Sequence, residues 1–428
     1  MTLELERKSK EEIIKFQELE LVQLLQYLNT NSPFYKNLFS KNKVDLSTIN
    51  KYGDLVKLPV TSKDDLQNQN WDFLCVGKNK IKEYCSTSGT LGTPVIIGLT
   101  KNDVDRLGYN EYLSFLAMNT TAEDIYLLML SLDRQFMAGI AYYEGARKLD
   151  AGIIRSGAGN FPMQIDLIQR LSPNVLIAVP STIISLISYA NEKHIDLNGT
   201  SVRKILCIGE NIRSDNFSLN ELGQRITIAW NVELFSTYAS TEQQTAFTEC
   251  EAGKGGHHHP DLLIFEILDD DNNQLPQGEI GELTITTLAV EGMPLLRYKT
   301  GDICTYYDEP CSCGRMTSRI SPIIGRKQQL IKYKGTTLYP QSIFNILNSI
   351  ENIKDYVVMV FKNDIGNDEI IIHIAVPDYT DEIDFKIKRT LQSMLRVLPE
   401  MKYLSLDEIH KMQISDTKRK VNKLNDLR

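Results

Sequence analysis

Between residues 125 and 210, short apolar runs alternate with helical stretches, and this rhythm limits the fold more than any other feature of the chain. IYLLMLSL (125–132), the end of RKLDAGIIRSG (147–157), NVLIAVP (174–180) and KILCIGE (204–210) read as strands. MQIDLIQRLSP (163–173) and STIISLISYANEKH (181–194) read as helices between them. Such alternation predicts an α/β domain with largely parallel strands. Upstream, residues 8–30 carry apolar side chains at helical spacing and close on an Asn-Thr-Asn-Ser-Pro break, and 104–119 reads as another helix. From about 260 the rhythm changes. DLLIFEILD, GELTITTL and CTYYD are strand-like, with DDDNNQLPQG as a turn between the first two, which predicts a mostly antiparallel, β-rich section. A short strand pair with a Gly turn follows at 325–340. Helix 341–351, strands 355–362 and 368–376 and helix 380–397 then predict a small α+β domain of about a hundred residues. Residues 402–428 read as a polar, lysine-rich end.

Composition narrows the function classes. With 42% hydrophobic and 24% charged residues, the chain is not a disordered one. The net charge of −8 argues against a nucleic-acid partner, because phosphate backbones are held mainly by cations. A small anionic ligand stays compatible, since backbone dipoles can hold it against the net charge. No apolar run approaches the ~20 residues that cross a bilayer. The opening MTLELERKSKEEIIKF lacks the apolar centre of a secretory signal. The cysteines are Cys75, Cys85, Cys207, Cys250, Cys304, Cys311 and Cys313, seven in all, and this odd number argues against a disulfide framework. The expectation is a cytoplasmic enzyme or binding protein without a membrane partner.

Three segments look chemical. In CSTSGTLGTPVIIGLT (85–100), glycines let backbone N–H groups turn toward one point and hydroxyls add donors, as a phosphate-gripping loop requires; the same composition also describes a surface turn. It lacks the G-x-x-x-x-G-K-[ST] spacing of the Walker loop. In FSTYASTEQQ (235–244), a strand-like run ends in small hydroxyl residues and Glu242. One carboxylate beside a phosphate site suits Mg²⁺, while a helix capped by Ser240 or Thr241 is the plain alternative. RYKTGDIC (297–304) reads as an exposed turn carrying Asp302, whose carboxylate can accept hydrogen bonds from a ribose diol.

In this order and at these separations, the segments resemble the adenylate-forming acyl-CoA synthetases, and within them the phenylacetate–CoA ligase family. The resemblance runs from SPFY (32–35) and LPVTSKDDL (58–66) through the Ser/Thr/Gly loop, IGENIR (208–213), YASTE (238–242), RYKTGD (297–302) and CGRMTSRISPIIGR (313–326). It ends at GTTLYP (335–340) and the C-terminal lysines. It implies a large adenylate-forming domain over 1–326, combining α/β sheets, a β-rich part and a zinc-binding insertion, and a mobile α+β domain over 327–428.

Residue by residue, the resemblance assigns the β- and γ-phosphates of ATP to Thr87, Ser88, Gly89, Thr90 and Gly92, with Leu91 where relatives commonly have a second Thr. Tyr238 matches the aromatic that stacks on adenine, Thr241 the α-phosphate contact and Glu242 the Mg²⁺ ligand. Ala239 stands in place of a usual Gly. Gly209 and Glu210 fall in the loop along the adenine edge, Asp302 matches the ribose ligand and Arg326 an arginine reaching ribose or phosphate. The family's terminal Gly-Lys-x-x-Arg, registered on the final Asp-Leu-Arg, makes Lys420 the catalytic lysine, with Arg419 and Lys423 as departures and Lys418 as the other register. Gln328 stands at the hinge, where relatives have Asp or Lys. Cys250, His257, Cys311 and Cys313 supply three thiols and an imidazole suited to tetrahedral structural Zn²⁺, as in some relatives, with His258 and His259 as alternatives to His257.

The implied reaction joins a carboxylic acid, of aromatic type, to AMP from MgATP, and then to coenzyme A. SLDRQFMAGIAYYEG (131–145) is the expected acid-pocket segment. There Phe136, Met137 and Ala138 form an apolar slot, and Arg134 is either a contact for a polar substituent or an exposed ion-pair partner. Delivery of the acyl group to a carrier-protein thiol or an amine, and a non-catalytic nucleotide-binding homologue, are the alternatives. Assembly as a homodimer is left open.

Overall fold

The computed structural model describes residues 5–87, 94–364, 366–413 and 423–428. They divide into two compact units, one of residues 1–300 and 304–323, the other of 301–303 and 324–428. Each is described on its own.

The first unit is built on a nine-stranded sheet whose larger half is parallel. Strands Ile125–Leu128, Gly152–Arg155, Val175–Ala178, Lys204–Ile208 and Glu233–Ser240 pair in parallel. Helices Met137–Lys148, Phe161–Leu171, Pro180–Glu192 and Glu221–Ala229 connect them, because parallel neighbours need a crossover. Both faces are covered, and side chains along a strand alternate between the two. Leu176 and Ala178 pack with Ile165, Ile168, Ile183 and Leu186 on one side. Val175 and Ile177 pack with Phe115, Tyr142 and Ala146 on the other. The sheet then turns antiparallel through Thr245–Glu249, Gly256–His257, Arg319–Ile320 and Tyr306–Tyr307. The β-rich section also holds the antiparallel pair Leu263–Leu268 and Gly281–Thr287, in register from Leu263↔Thr287 to Leu268↔Glu282.

At the N-terminal end, helix Lys10–Asn31 starts in a capping box between Ser9 and Glu12. Its apolar stripe of Leu21, Leu24, Leu25 and Leu28 is buried. Pro33 then opens a second helix, Pro33–Lys41, where its missing N–H costs nothing.

The second unit packs helices Pro340–Asn348 and Asp381–Leu395 with a four-stranded sheet around Ile343, Val358, Ile372 and Leu391. Strands Asp355–Lys362 and Asp368–Ala375 form its antiparallel centre. Edge strands Glu400–Tyr403 and Leu424–Asp426 add in parallel, so the lysine-rich end contributes structure that its polarity concealed. The hairpin Ile331–Tyr333/Thr336–Leu338 turns on Lys334 and Gly335, both at positive φ (47° and 78°), as a two-residue turn between twisted strands requires.

Candidate functional site

The YASTE segment lies at a hairpin corner. Strand Glu233–Ser240 pairs with Thr245–Glu249 so that Tyr238 faces Phe247 and Ser240 faces Thr245. The corner is therefore a strand-to-strand turn and not a helix start. Gln244 takes a left-handed φ of 53° to close it. Helix Lys101–Ala117 braces the turn from behind. Arg106, fully buried, donates to the carbonyls of Gln244 (2.6 Å), Leu262 (2.6 Å) and Leu288 (2.8 Å). Asn110 Oδ1 accepts from the Ala246 N–H at 3.0 Å, and Ser114 accepts from Thr248 at 2.8 Å. Buried polar groups paired in this way hold the turn in one geometry. Tyr238 is half-buried, its ring 6.0 Å from that of Phe247. Ala239 avoids positive φ, so the change from Gly costs little there.

Glu242 is buried, and its carboxylate lies 3.8 Å from the Lys63 ammonium. Lys63 begins a short helix whose capping box joins Ser62 and Asp65. Neither Lys63 nor Arg106 was picked out from the sequence. A lysine in a capped polar turn and an arginine on a helix both read as surface residues, and their partners lie far along the chain. The TSKDDL cap was the one available signal for Lys63.

The face of the corner that carries Tyr238 also carries Ser236, Phe247 and Glu249, around a cavity of about 30 Å³ that Ile323 helps line. That is room for a water-sized group. Arg213 pairs with Glu249 at its wall, and the Ser236 N–H donates to the other Glu249 oxygen at 2.9 Å. Burial raises the Glu249 carboxyl, against the lowering effect of Arg213. In the neighbouring loop, Gly209 has φ 74°. Glu210 accepts from the Ser181 N–H (2.9 Å) and hydroxyl (3.0 Å), which places its charge at the N-terminus of helix Pro180–Glu192.

The phosphate-loop residues Ser88, Gly89, Thr90 and Gly92 lie outside the described residues, as does Lys420 with its neighbours Lys418 and Arg419. Thr87 is described, and its hydroxyl accepts the Val95 N–H at 3.0 Å while its own N–H donates to the Val95 carbonyl. It closes the base of the loop, between antiparallel strands Ile81–Ser86 and Ile96–Thr100.

In the second unit, Asp302 corrects the sequence reading. The segment expected as an exposed turn is strand Tyr298–Cys304, and Asp302 is buried within it. Gly301 passes through φ 77° without breaking the strand, so its sequence imitates a turn. Asp302 pairs across the ladder with Arg326, whose Nε donates to Oδ1 at 3.2 Å. Gln328 lies in the short 3₁₀ turn Lys327–Gln329.

Within the first unit, Cys250, His257, Cys311 and Cys313 come together, with their ligand atoms all within 4.8 Å of one another. Cys250 Sγ and Cys311 Sγ are 3.6 Å apart, as are Cys313 Sγ and His257 Nε2. Bonds of about 2.3 Å to a tetrahedral Zn²⁺ put neighbouring sulfurs about 3.8 Å apart, so the donor set fits that ion. The geometry favours His257 among the three histidines. Its Nδ1 meets Thr317 Oγ1 at 2.8 Å, which leaves Nε2 toward the thiols. His258 Nδ1 is 3.0 Å from the Ser318 carbonyl, and His259 Nδ1 is 2.6 Å from Glu6. Cys250, with His257 and Arg315, holds the Cys313 thiol well below its usual range despite burial.

In the expected acid-pocket segment, Met137 is buried and Phe136 and Ala138 are half-buried. Arg134 is exposed and lies 3.5 Å from Asp133, so the structure gives it a local ion pair.

A profile of the AMP-binding enzyme family matches residues 45–291. Phenylacetate–coenzyme A ligase of Thermus thermophilus is 27% identical over 384 residues, covering 88% of this chain and 84% of that protein. Phenylacetate–coenzyme A ligase of Aromatoleum evansii is 23% identical over an alignment of 442 residues, 98% of this chain and 96% of that one. The crystal structure of 2-hydroxyisobutyryl-CoA ligase in complex with 2-HIB-AMP matches in fold with a TM-score of 0.87 at 20% identity, covering 99% of this chain and 91% of that chain. The chain belongs to the AMP-binding enzyme family, and over most of its length it is similar to phenylacetate–CoA ligases. Among the described residues, no helix is long and apolar enough to cross a membrane.

Proposed function

We propose that this chain is an AMP-forming acid–CoA ligase acting on an aromatic carboxylic acid. In the first half-reaction, a carboxylate oxygen bonds to the α-phosphorus of ATP, the bond to the bridging β-phosphate oxygen breaks, and pyrophosphate leaves. In the second, the sulfur of coenzyme A bonds to the acyl carbon, and AMP leaves with the carboxyl oxygen it gained. The observation that carries this reading is the braced corner Tyr238–Glu242, where an aromatic face, a hydroxyl and a buried carboxylate are held by a turn that Arg106 and Asn110 fix.

In this reading Tyr238 stacks on adenine, with Gly209 and Glu210 along its edge, and Thr241 donates to the α-phosphate. Asp302 accepts from the ribose hydroxyls, and Arg326 balances charge beside them. Thr87, Ser88, Gly89, Thr90 and Gly92 hold the terminal phosphates, and Lys420 brings its ammonium to the developing negative charge. These groups act by position and electrostatics rather than by covalent chemistry. Glu242 offers the hard oxygen donor that Mg²⁺ shares with substrate phosphates, and that ion would supply charge neutralisation there. Met137 and Phe136 give the acid pocket an apolar wall, which suits an aryl group. We assign residues 1–326 to nucleotide and acid binding and 327–428 to the mobile domain. Cys250, His257, Cys311 and Cys313 hold a structural zinc ion, because four protein ligands leave no position for a substrate.

The test is carboxylate-dependent ATP–pyrophosphate exchange across a panel led by arylacetic acids, followed by AMP and thioester measured with and without coenzyme A. Exchange without coenzyme A, and thioester only with it, is the expected result. No exchange with any acid would overturn the reading. Exchange without thioester would transfer the second step to a carrier thiol or an amine.

A further inference from the structure

Beside the Cys/His cluster runs a chain of buried charged groups that begins in the first described turn of the protein. Arg315, 2% exposed, places Nη1 3.6 Å from Cys313 Sγ and donates from Nε to Glu6 Oε2 at 2.6 Å. Glu6, also 2% exposed, receives His259 Nδ1 on its other oxygen at 2.6 Å. The Glu6 carbonyl accepts the Met316 N–H at 2.7 Å. A Cβ at Gly314, where φ is 84°, would lie 2.8 Å from the Arg7 guanidinium, so the N-terminal turn sits directly on the Cys311–Arg315 knuckle.

Glu6 is more than 240 residues distant in sequence from every member of the cluster except through this contact. Three thiolates and a neutral imidazole around a divalent ion leave one negative charge in excess. A buried excess charge is costly unless a partner compensates it. Arg315 is that partner, with its guanidinium directed at one of the three sulfurs. An arginine side chain has many rotamers, and a second contact is needed to hold it in one of them. Glu6 supplies that contact with a charge-assisted bond, and His259 in turn holds Glu6.

We propose that Glu6 is a positioning residue for the metal centre, acting through Arg315 on the Cys313 thiolate. This rests on the zinc reading above. The N-terminal turn is thereby part of the centre's outer shell and sets how firmly the ion is retained. Outer-shell partners of this kind change metal affinity by about 10- to 100-fold.

The test uses the full chain, with zinc as the probe. Zinc per chain is measured by elemental analysis, and zinc affinity by competition with a chromogenic chelator. The wild type should carry about one zinc. Glu6→Gln keeps the shape and the backbone contact to Met316 and removes the charge, and should bind zinc about 10- to 100-fold more weakly. Arg315→Lys keeps the charge and loses the planar fork, and should weaken binding similarly. The double variant should be no weaker than Arg315→Lys alone, because Glu6 acts only through Arg315. Equal zinc affinity in wild type and Glu6→Gln would overturn the proposal while leaving the metal site standing. So would additive losses in the double variant. A folded wild type that binds no zinc would instead remove the metal reading itself.

Discussion

Arg297 and Asp302 open and close the run RYKTGD, yet the arginine–carboxylate pair at one end is built for a different purpose from the pair at the other. Arg297 is sealed. It meets Glu266 through two parallel bonds of 2.9 and 3.0 Å and donates to the Leu58 and Asn272 carbonyls as well. Both partners are buried, and the guanidinium fork is matched by planar acceptors on every side. Arg326 Nε donates to Asp302 Oδ1 at 3.2 Å, and the Arg326 side chain is 46% exposed. The first pair is closed off from solvent on both sides. The second leaves its guanidinium partly in solvent. A sequence motif thus marks a segment, while burial of both partners separates the sealed pair from the open one.

The largest effect should come from breaking the sealed pair. Arg297→Ala leaves Glu266 buried without its cation and four acceptor contacts undone. Removing one partner of a buried pair costs about 3–5 kcal/mol. Urea denaturation followed by circular dichroism measures it, and a loss below 1 kcal/mol would show that the neighbouring backbone, and not the ion pair, holds this strand.

A third buried carboxyl sharpens the contrast, because it has no arginine at all. Glu111 lies in helix Lys101–Ala117 where it crosses helix Met137–Lys148. The packing is so close that a Cβ at Gly145 would come 2.4 Å from that of Glu111. Asn110 donates to its Oε1 at 2.9 Å, and its Oε2 has no partner among the described residues. Burial pushes the Glu111 carboxyl up to about 8, against the lowering effect of Asn110 and Ser114. The folded chain therefore binds a proton here more tightly than the unfolded chain does. The stability this proton brings is complete below the unfolded value of 4.5 and is lost as pH rises toward about 8. Glu111→Gln should remove that slope and be more stable than wild type at pH 8. Parallel stability–pH curves for the two proteins would mean that Glu111 is ionised in the fold.

Much of this was legible in the sequence. The alternation across 125–210 is a strong period, and it gave the parallel half of the sheet because buried strands and crossover helices each leave a distinct pattern. Cys250, His257, Cys311 and Cys313 were legible because few residue types bind a soft metal. Strand Leu424–Asp426 was not, since three residues of mixed polarity become a strand only through Val358–Val360. Asp302 misled because Thr-Gly-Asp is turn chemistry, and only tertiary strand pairing, with Arg326 among the partners, makes it a strand. Arg106 was illegible for a similar reason: the three carbonyls it holds are 138, 156 and 182 residues away.

The smallest change in stability should follow disruption of the exposed pair, and here the comparison can fail most informatively. Arg326→Ala removes an ion pair whose arginine is nearly half in solvent, where such pairs contribute about 0–1 kcal/mol. Denaturation midpoints should therefore scarcely move. Asp302→Asn keeps the shape and loses the charge, and a hydrogen bond to a charged group contributes roughly 1.5–3 kcal/mol, which converts to a rise in the KM for MgATP of about 10- to 100-fold. The two variants should thus separate what they share in the structure, with both folding normally and Asp302→Asn failing at nucleotide binding. If Arg326→Ala instead lowers stability as much as Arg297→Ala does, Asp302 is a buried anion that needs its arginine to fold, and the two ends of RYKTGD do the same work.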